Sequence, residues 1–241
     1  MKKYVVLIGL IFAILVAVIV FLNKSNEQNG TYFNGHTYLL LDTSFPKNFT
    51  FVSWVYYKSF NGTGVIASQG ISENGHSTWY VGTGGEILNK TLCGVFSNEK
   101  VEGNYTAGWR FAVAPFIGTK SWHMVACVYN KTTISIYIDG KLINKTSTPY
   151  KVPTPKIIEI GKRTSTFYIN NEPTFAYFNG YLANVQFYNS SLSNDKIYEL
   201  YKRGLNGEPF SNVSIYLPLK NNFTNGCIEH GKACSISVVS S

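Results

Sequence analysis

The chain has 241 residues, with 21 Lys and Arg against 13 Asp and Glu, a formal net charge of +8, and 15% aromatic residues. The excess base is dispersed, apart from short pairs such as Lys162-Arg163 and Lys202-Arg203, and no basic stripe or nucleic-acid module is present, which argues against a nucleic-acid partner. The acids are equally scattered. The closest two, Glu99 and Glu102, fall on opposite faces of any strand, whereas glycoside hydrolysis needs two carboxylates about 5–9.5 Å apart. No serine-hydrolase or phosphate-loop signature appears, so neither a catalytic residue nor a cofactor is expected.

Behind Met1-Lys2-Lys3, residues 4–22 carry no charge and consist mostly of Val, Ile, Leu, Phe and Ala. A helix of that length spans about 28 Å, close to the hydrocarbon thickness of a bilayer. The lysines ahead of it put the N-terminus in the cytoplasm and everything after Leu22 outside. The exit Val20-Phe21-Leu22-Asn23-Lys24 lacks the small residues of a signal-peptidase site, so residues 1–22 are expected to remain as a single-pass anchor rather than to be removed. Residues 23–30, polar and without apolar period, read as a stalk, and 31–241 as one extracellular domain.

The domain reads as strand after strand: 49–57, 63–70, 78–84, 91–97, 109–116, 122–129, 133–139, 156–161 and 181–188 are rich in Val, Ile, Tyr, Phe and Thr and are bounded by Gly, Asn-Gly, Asp-Gly or Pro. Only 193–204 has a helical period, with Ile197, Leu200 and Tyr201 on one face and Gly204 as a stop. So many strands without βαβ alternation predict an all-β, two-sheet antiparallel sandwich.

An exported surface predicts glycans. Asn-x-Ser/Thr tripeptides begin at Asn23, Asn29, Asn48, Asn61, Asn89, Asn104, Asn130, Asn144, Asn189, Asn212 and Asn222, where composition alone would give about four. Four cysteines suit an oxidising compartment and allow three connectivities. The expected pairs are Cys227 with Cys234, which are local, and Cys93 with Cys127, which lie in two strand-like runs and are expected to link neighbouring strands. Cys227, His230 and Cys234 could instead ligate zinc, but a fourth nearby ligand is missing.

Residues 121–146, Ser-Trp-His-Met-Val-Ala-Cys-Val-Tyr-Asn-Lys-Thr-Thr-Ile-Ser-Ile-Tyr-Ile-Asp-Gly-Lys-Leu-Ile-Asn-Lys-Thr, gather a histidine, a cysteine and an aspartate. Trp122, Met124, Ala126 and Val128 share one face of the strand and are expected to face the core; His123, Val125, Cys127 and Tyr129 share the other. His123 and Cys127, four residues apart, are separated by about 13 Å in a regular strand, too far for a catalytic dyad. Asp139-Gly140 is a two-residue hairpin signal, and nothing in the sequence supplies a partner for His123.

This stretch, followed by Ile-Ile-Glu-Ile-Gly at 157–161 and the run from Phe178 to Gly204, resembles the laminin-G-like, concanavalin A-like lectin/glucanase superfamily. Residues 32–41 resemble its first strand and 49–57 its inward tryptophan strand. The resemblance, over roughly residues 30 to 220, implies a jelly-roll sandwich. Some relatives are glucanases with paired acids on one strand, a pattern absent here, and others bridge calcium through clustered carboxylates, which are also absent, so no metal site is assigned. The expected function is carbohydrate or glycosylated-surface recognition, through loops 72–79 and 102–110, with Trp109 stacking on a sugar and Asn74, His76 or Arg110 hydrogen bonding to it. In the alternative, Trp79 and Trp109 are ordinary core residues and the protein is a structural glycoprotein of a cell envelope or virion.

Overall fold

The computed structural model describes residues 11–12, 14–16, 29–43, 48–60, 63–71, 77–84, 87–96, 108–148, 157–163, 167–169, 172–174, 176–223 and 226–240. Two antiparallel sheets face each other. The larger, nine-stranded sheet contains β1 (Thr31–Asn34), β3 (Phe49–Tyr57), β8 (Trp122–Tyr129), β9 (Thr133–Ile138), β10 (Lys141–Ser147), β14 (Asn179–Tyr188), β15 (Ile215–Leu217), β16 (Ile228–Glu229) and β17 (Lys232–Ala233). Its order is β10-β9-β8-β3-β14-β15-β16-β17, with β1 also paired to β14. The smaller, seven-stranded sheet runs β18 (Ser237–Ser240), β2 (Thr37–Asp42), β11 (Ile157–Ile160), β4 (Gly64–Ile71), β5 (Ser77–Gly84), β6 (Ile87–Phe96) and β7 (Trp109–Pro115). A separate hairpin joins β12 (Phe167–Ile169) to β13 (Glu172–Thr174), and α1 (Asn194–Arg203) follows β14.

Alternate residues of the central strands fill the space between the sheets. Phe49, Phe51, Trp79, Phe178 and Phe187 are wholly or almost wholly buried there, with Phe49 5.1 Å and Phe51 6.0 Å from the Trp79 ring. Each such side chain contributes about 1.5–3 kcal/mol relative to exposure, so this aromatic seam is the main cohesion of the sandwich. Both expected cysteine pairs form. Cys93 of β6 and Cys127 of β8 bridge the two sheets through the core, with Cα atoms 5.8 Å apart, so the linked strands face each other rather than lie side by side. Cys227 and Cys234 close the β16–β17 turn, and with both thiols in a disulfide the zinc alternative falls away.

The Asp139-Gly140 hairpin is as expected: two residues between β9 and β10, both at positive φ, 50° and 77°. The helix also matches. Ser193 Oγ accepts from the Lys196 N–H at 3.4 Å, Gly204 stops it at φ 77°, and Ile197 and Leu200 are buried.

Three expectations need correction. Residues 32–41 form two strands, because the chain turns at Gly35-His36 and passes from one sheet to the other. The inter-sheet face of β8 carries Val125, Cys127 and Tyr129, whereas Met124, Ala126 and Val128 lie beneath the helix with Val52 and Trp54 of β3. Trp54 therefore points outward and stacks on Tyr201 at 5.8 Å. Alternation identifies a core face only when the other face meets water; α1 roofs the outer face, so both faces of β3 and β8 are apolar.

Among the described residues no helix is long and apolar enough to cross a membrane. Residues 11–12 and 14–16 are helical and expose Ile11, Phe12, Ile14, Leu15 and Val16, while the rest of the expected anchor and residues 23–28 of the stalk lie outside the described residues.

Candidate functional site

Side-chain alternation puts Tyr32, Tyr56, Trp122 and Tyr181 on the outer face of the nine-stranded sheet, and the strand registers bring them into one row. Tyr32 is opposite Tyr181, Tyr181 opposite Tyr56, and Tyr56 opposite Trp122, on β1, β14, β3 and β8. Neighbouring ring centroids are 5.1, 5.7 and 5.6 Å apart. Tyr32 is 38% exposed, Tyr181 and Trp122 are half-buried, and Tyr56 is buried at the centre. The Lys58 ammonium lies 4.8 Å from the Tyr32 centroid, and the Tyr32 hydroxyl reaches Asn179 Oδ1 at 3.4 Å. At Gly30 an added Cβ would sit 2.6 Å from Trp122 Cη2, so only glycine lets the incoming chain lie against that ring.

The same end of β8 carries a polar chain that the sequence reading missed. His123 Nδ1 is 2.8 Å from Asp139 Oδ2, and Ser121 Oγ is 2.9 Å from His123 Nε2. Asp139 Oδ1 also accepts the Met124 N–H at 2.9 Å, and its own N–H donates to the Met124 carbonyl at 2.9 Å. His123 thus has a partner, contrary to expectation, because the β9 hairpin returns Asp139 beside the start of β8. The Ser-His-Asp order resembles a charge relay, but both oxygens of Asp139 are committed to holding the hairpin on β8. That makes it a clamp first.

Of the expected ligand residues, Asn74 and His76 lie outside the described residues, as does the 97–107 segment that includes Asn104. Trp109 starts β7 on the outer face of the seven-stranded sheet and is 7% exposed. It stacks on Phe111 at 5.4 Å, with Tyr80 and Phe96 at 5.2 and 5.3 Å. The Arg163 guanidinium lies 4.5 Å from the Tyr80 centroid and 5.3 Å from that of Trp109. Arg110, half-buried, donates to the Trp109 carbonyl at 2.8 Å. In this packing Trp109 offers little open ring to a sugar.

The expected glycan acceptors Asn29, Asn89, Asn130, Asn144, Asn189, Asn212 and Asn222 are exposed, Asn48 is half-buried, and Asn23, Asn61 and Asn104 lie outside the described residues. Among the described residues no three His, Cys, Asp or Glu side chains group as a metal site.

The paired sheets and bridged core define a concanavalin A-like sandwich. Residues 28–198 match the model of the Concanavalin A-like lectin/glucanases superfamily, and the chain belongs to that family. Solved structures agree on the fold. A native heptameric SAP-like pentraxin from Limulus polyphemus has a TM-score of 0.54 at 12% identity, over 89% of this chain and 94% of that one. Domains LG4-5 of the mouse laminin alpha1 chain give 0.52 at 19%, over 87% and 47%. Domain 4 of AbnA, a GH43 extracellular arabinanase from Geobacillus stearothermophilus solved with arabinotriose, gives 0.50 at 13%, over 70% and 75%. No curated protein sequence matches the chain.

Proposed function

We propose that the protein is a membrane-anchored, N-glycosylated surface module that binds carbohydrate and carries no catalytic activity of its own. The observation behind this reading is the aromatic row. Tyr32, Tyr181 and Trp122 present partly open rings on a rigid sheet beside Lys58 and Asn179, and sugars are held by aromatic faces against their C–H surfaces together with polar groups at the edge. Family membership and the arabinotriose held by the arabinanase domain support the same class of ligand. The anchor over residues 4–22, the excess of acceptor tripeptides and the two disulfides support an extracellular address. Lys58 favours acidic glycans over neutral ones.

A second candidate surface stays with the sequence-expected residues Asn74, His76, Trp109 and Arg110, the last two at the start of β7. A glycan array probed with detergent-solubilised full-length protein tests both. Binding by the parent that falls at least about tenfold in Tyr32→Ala but not in Arg110→Ala assigns the row. The reverse assigns the loops, and an array without signal overturns the carbohydrate reading.

A further inference from the structure

At one of the two open sides of the sandwich the outermost strands of the two sheets, β10 and β7, run past each other without backbone pairing. They are joined by side chains of β10. Asn144 Oδ1 accepts the Val113 N–H at 3.4 Å, and the Thr146 hydroxyl, 2.7 Å from the Phe111 carbonyl, is also 3.3 Å from Asn144 Oδ1. Lys141 to Lys145 are all exposed, and Leu142 and Ile143 are each 43% exposed in the middle of that run, where the register with β9 shifts. An exposed edge strand with apolar side chains is a template for pairing with another chain, and folded proteins block such edges. The flanking Lys141 and Lys145 and the bulge at Ile143 supply part of that block.

Asn144-Lys145-Thr146 is also an N-glycan acceptor, set directly beside Leu142 and Ile143. Among the described residues every side-chain hydrogen bond of Asn144 uses Oδ1, so Nδ2, the atom that would carry the sugar, is left outside the network. The Oδ1 bond from Val113 of β7 holds the amide over the junction of both edges. Resting on the glycoprotein reading above, we infer that an N-linked glycan on Asn144 is the cover of this open side, lying over Leu142 and Ile143 and keeping β10 from pairing with β10 of a second copy.

Two other exposed acceptors, Asn130 and Asn189, differ in setting. Asn130 lies in the β8–β9 turn, where its Oδ1 is satisfied by Thr132 and Thr133, and Asn189 follows the end of β14. A glycan there would guard no strand edge.

Site-resolved mass spectrometry of full-length protein from the native membrane should find Asn144 occupied. In sedimentation experiments Asn144→Gln should self-associate at least about tenfold more tightly than Asn130→Gln, and adding Ile143→Lys to Asn144→Gln should restore the parental state. If Asn144→Gln does not fold, enzymatic deglycosylation of folded parent provides the same readout, with association expected to track sugar loss at Asn144. Occupancy elsewhere with Asn144 bare, or a deglycosylated Asn144 that associates no more than the Asn130 variant, overturns the inference while leaving the glycoprotein reading intact. Bare asparagines at every acceptor overturn both.

Discussion

The outer faces of the two sheets carry the same chemistry in opposite settings. On the seven-stranded sheet, Tyr80, Phe96, Trp109 and Phe111 form a cluster with Arg163, which is 3% exposed. On the nine-stranded sheet, Tyr32, Tyr181, Tyr56 and Trp122 form a row beside Lys58, which is exposed. A buried arginine over rings is part of the packing, since its planar cation is desolvated and held in place. An exposed lysine over a partly open ring keeps its mobility and can exchange one partner for another. Aromatic content alone therefore does not distinguish a scaffold from a binding surface; burial does.

The largest expected effect falls on the closed face. Trp109→Ala should lower stability by about 3–5 kcal/mol in chemical denaturation, because it empties a packed site. A loss below about 1 kcal/mol would mean that the closed face is open in solution and would return Trp109 to the list of sugar contacts.

The cross-link beneath that face comes next. Its sequence separation of 34 residues, against 7 for Cys227–Cys234, predicts by chain entropy a loss of about 3.8 kcal/mol for the paired Cys93 and Cys127 replacement and about 2.4 kcal/mol for the other pair. Equal losses would show that chain entropy is not what distinguishes them.

Asp139→Ala should cost about 1–3 kcal/mol, since the Met124 N–H and His123 lose their acceptor. Hydrogen exchange at Met124 should rise with it, and the carbohydrate binding of the outer row should not change. A binding loss larger than the stability loss would instead connect the clamp with the ligand.

Alkali tests the buried tyrosines. Burial pushes the Tyr188 and Tyr216 hydroxyls up to about 12, and it raises Tyr57 as well, against the opposing hydrogen bond to Thr83. The unfolded chain ionises these groups near pH 10 while the folded chain keeps their protons. Stability should therefore be intact below pH 10 and fall as the pH rises from 10 to about 12, by about 1.4 kcal/mol per pH unit for each such group. Melting temperatures that stay flat across that range would mean these hydroxyls reach water.

The smallest stability effect belongs to the open row. Tyr32→Ala should cost within about 1 kcal/mol while removing most glycan binding, a separation that the closed face cannot show.

The sequence by itself determined the longer strands that carry the two sheets, the helix with its Gly204 stop and the Asp139-Gly140 turn, and it favoured the cysteine pairs that form, because each rests on alternation, local turn chemistry or a short list of partners. It also carried the family resemblance, since the matching motifs are scaffold residues. Only the tertiary structure decided which face of β8 meets the other sheet, because a helix distant in sequence makes both faces apolar. The aromatic row likewise depends on inter-strand register, joining residues from 32 to 181 that no local pattern relates. His123 found Asp139 for the same reason: the hydrogen bond spans 16 residues of sequence and exists only once the hairpin has folded back across the sheet.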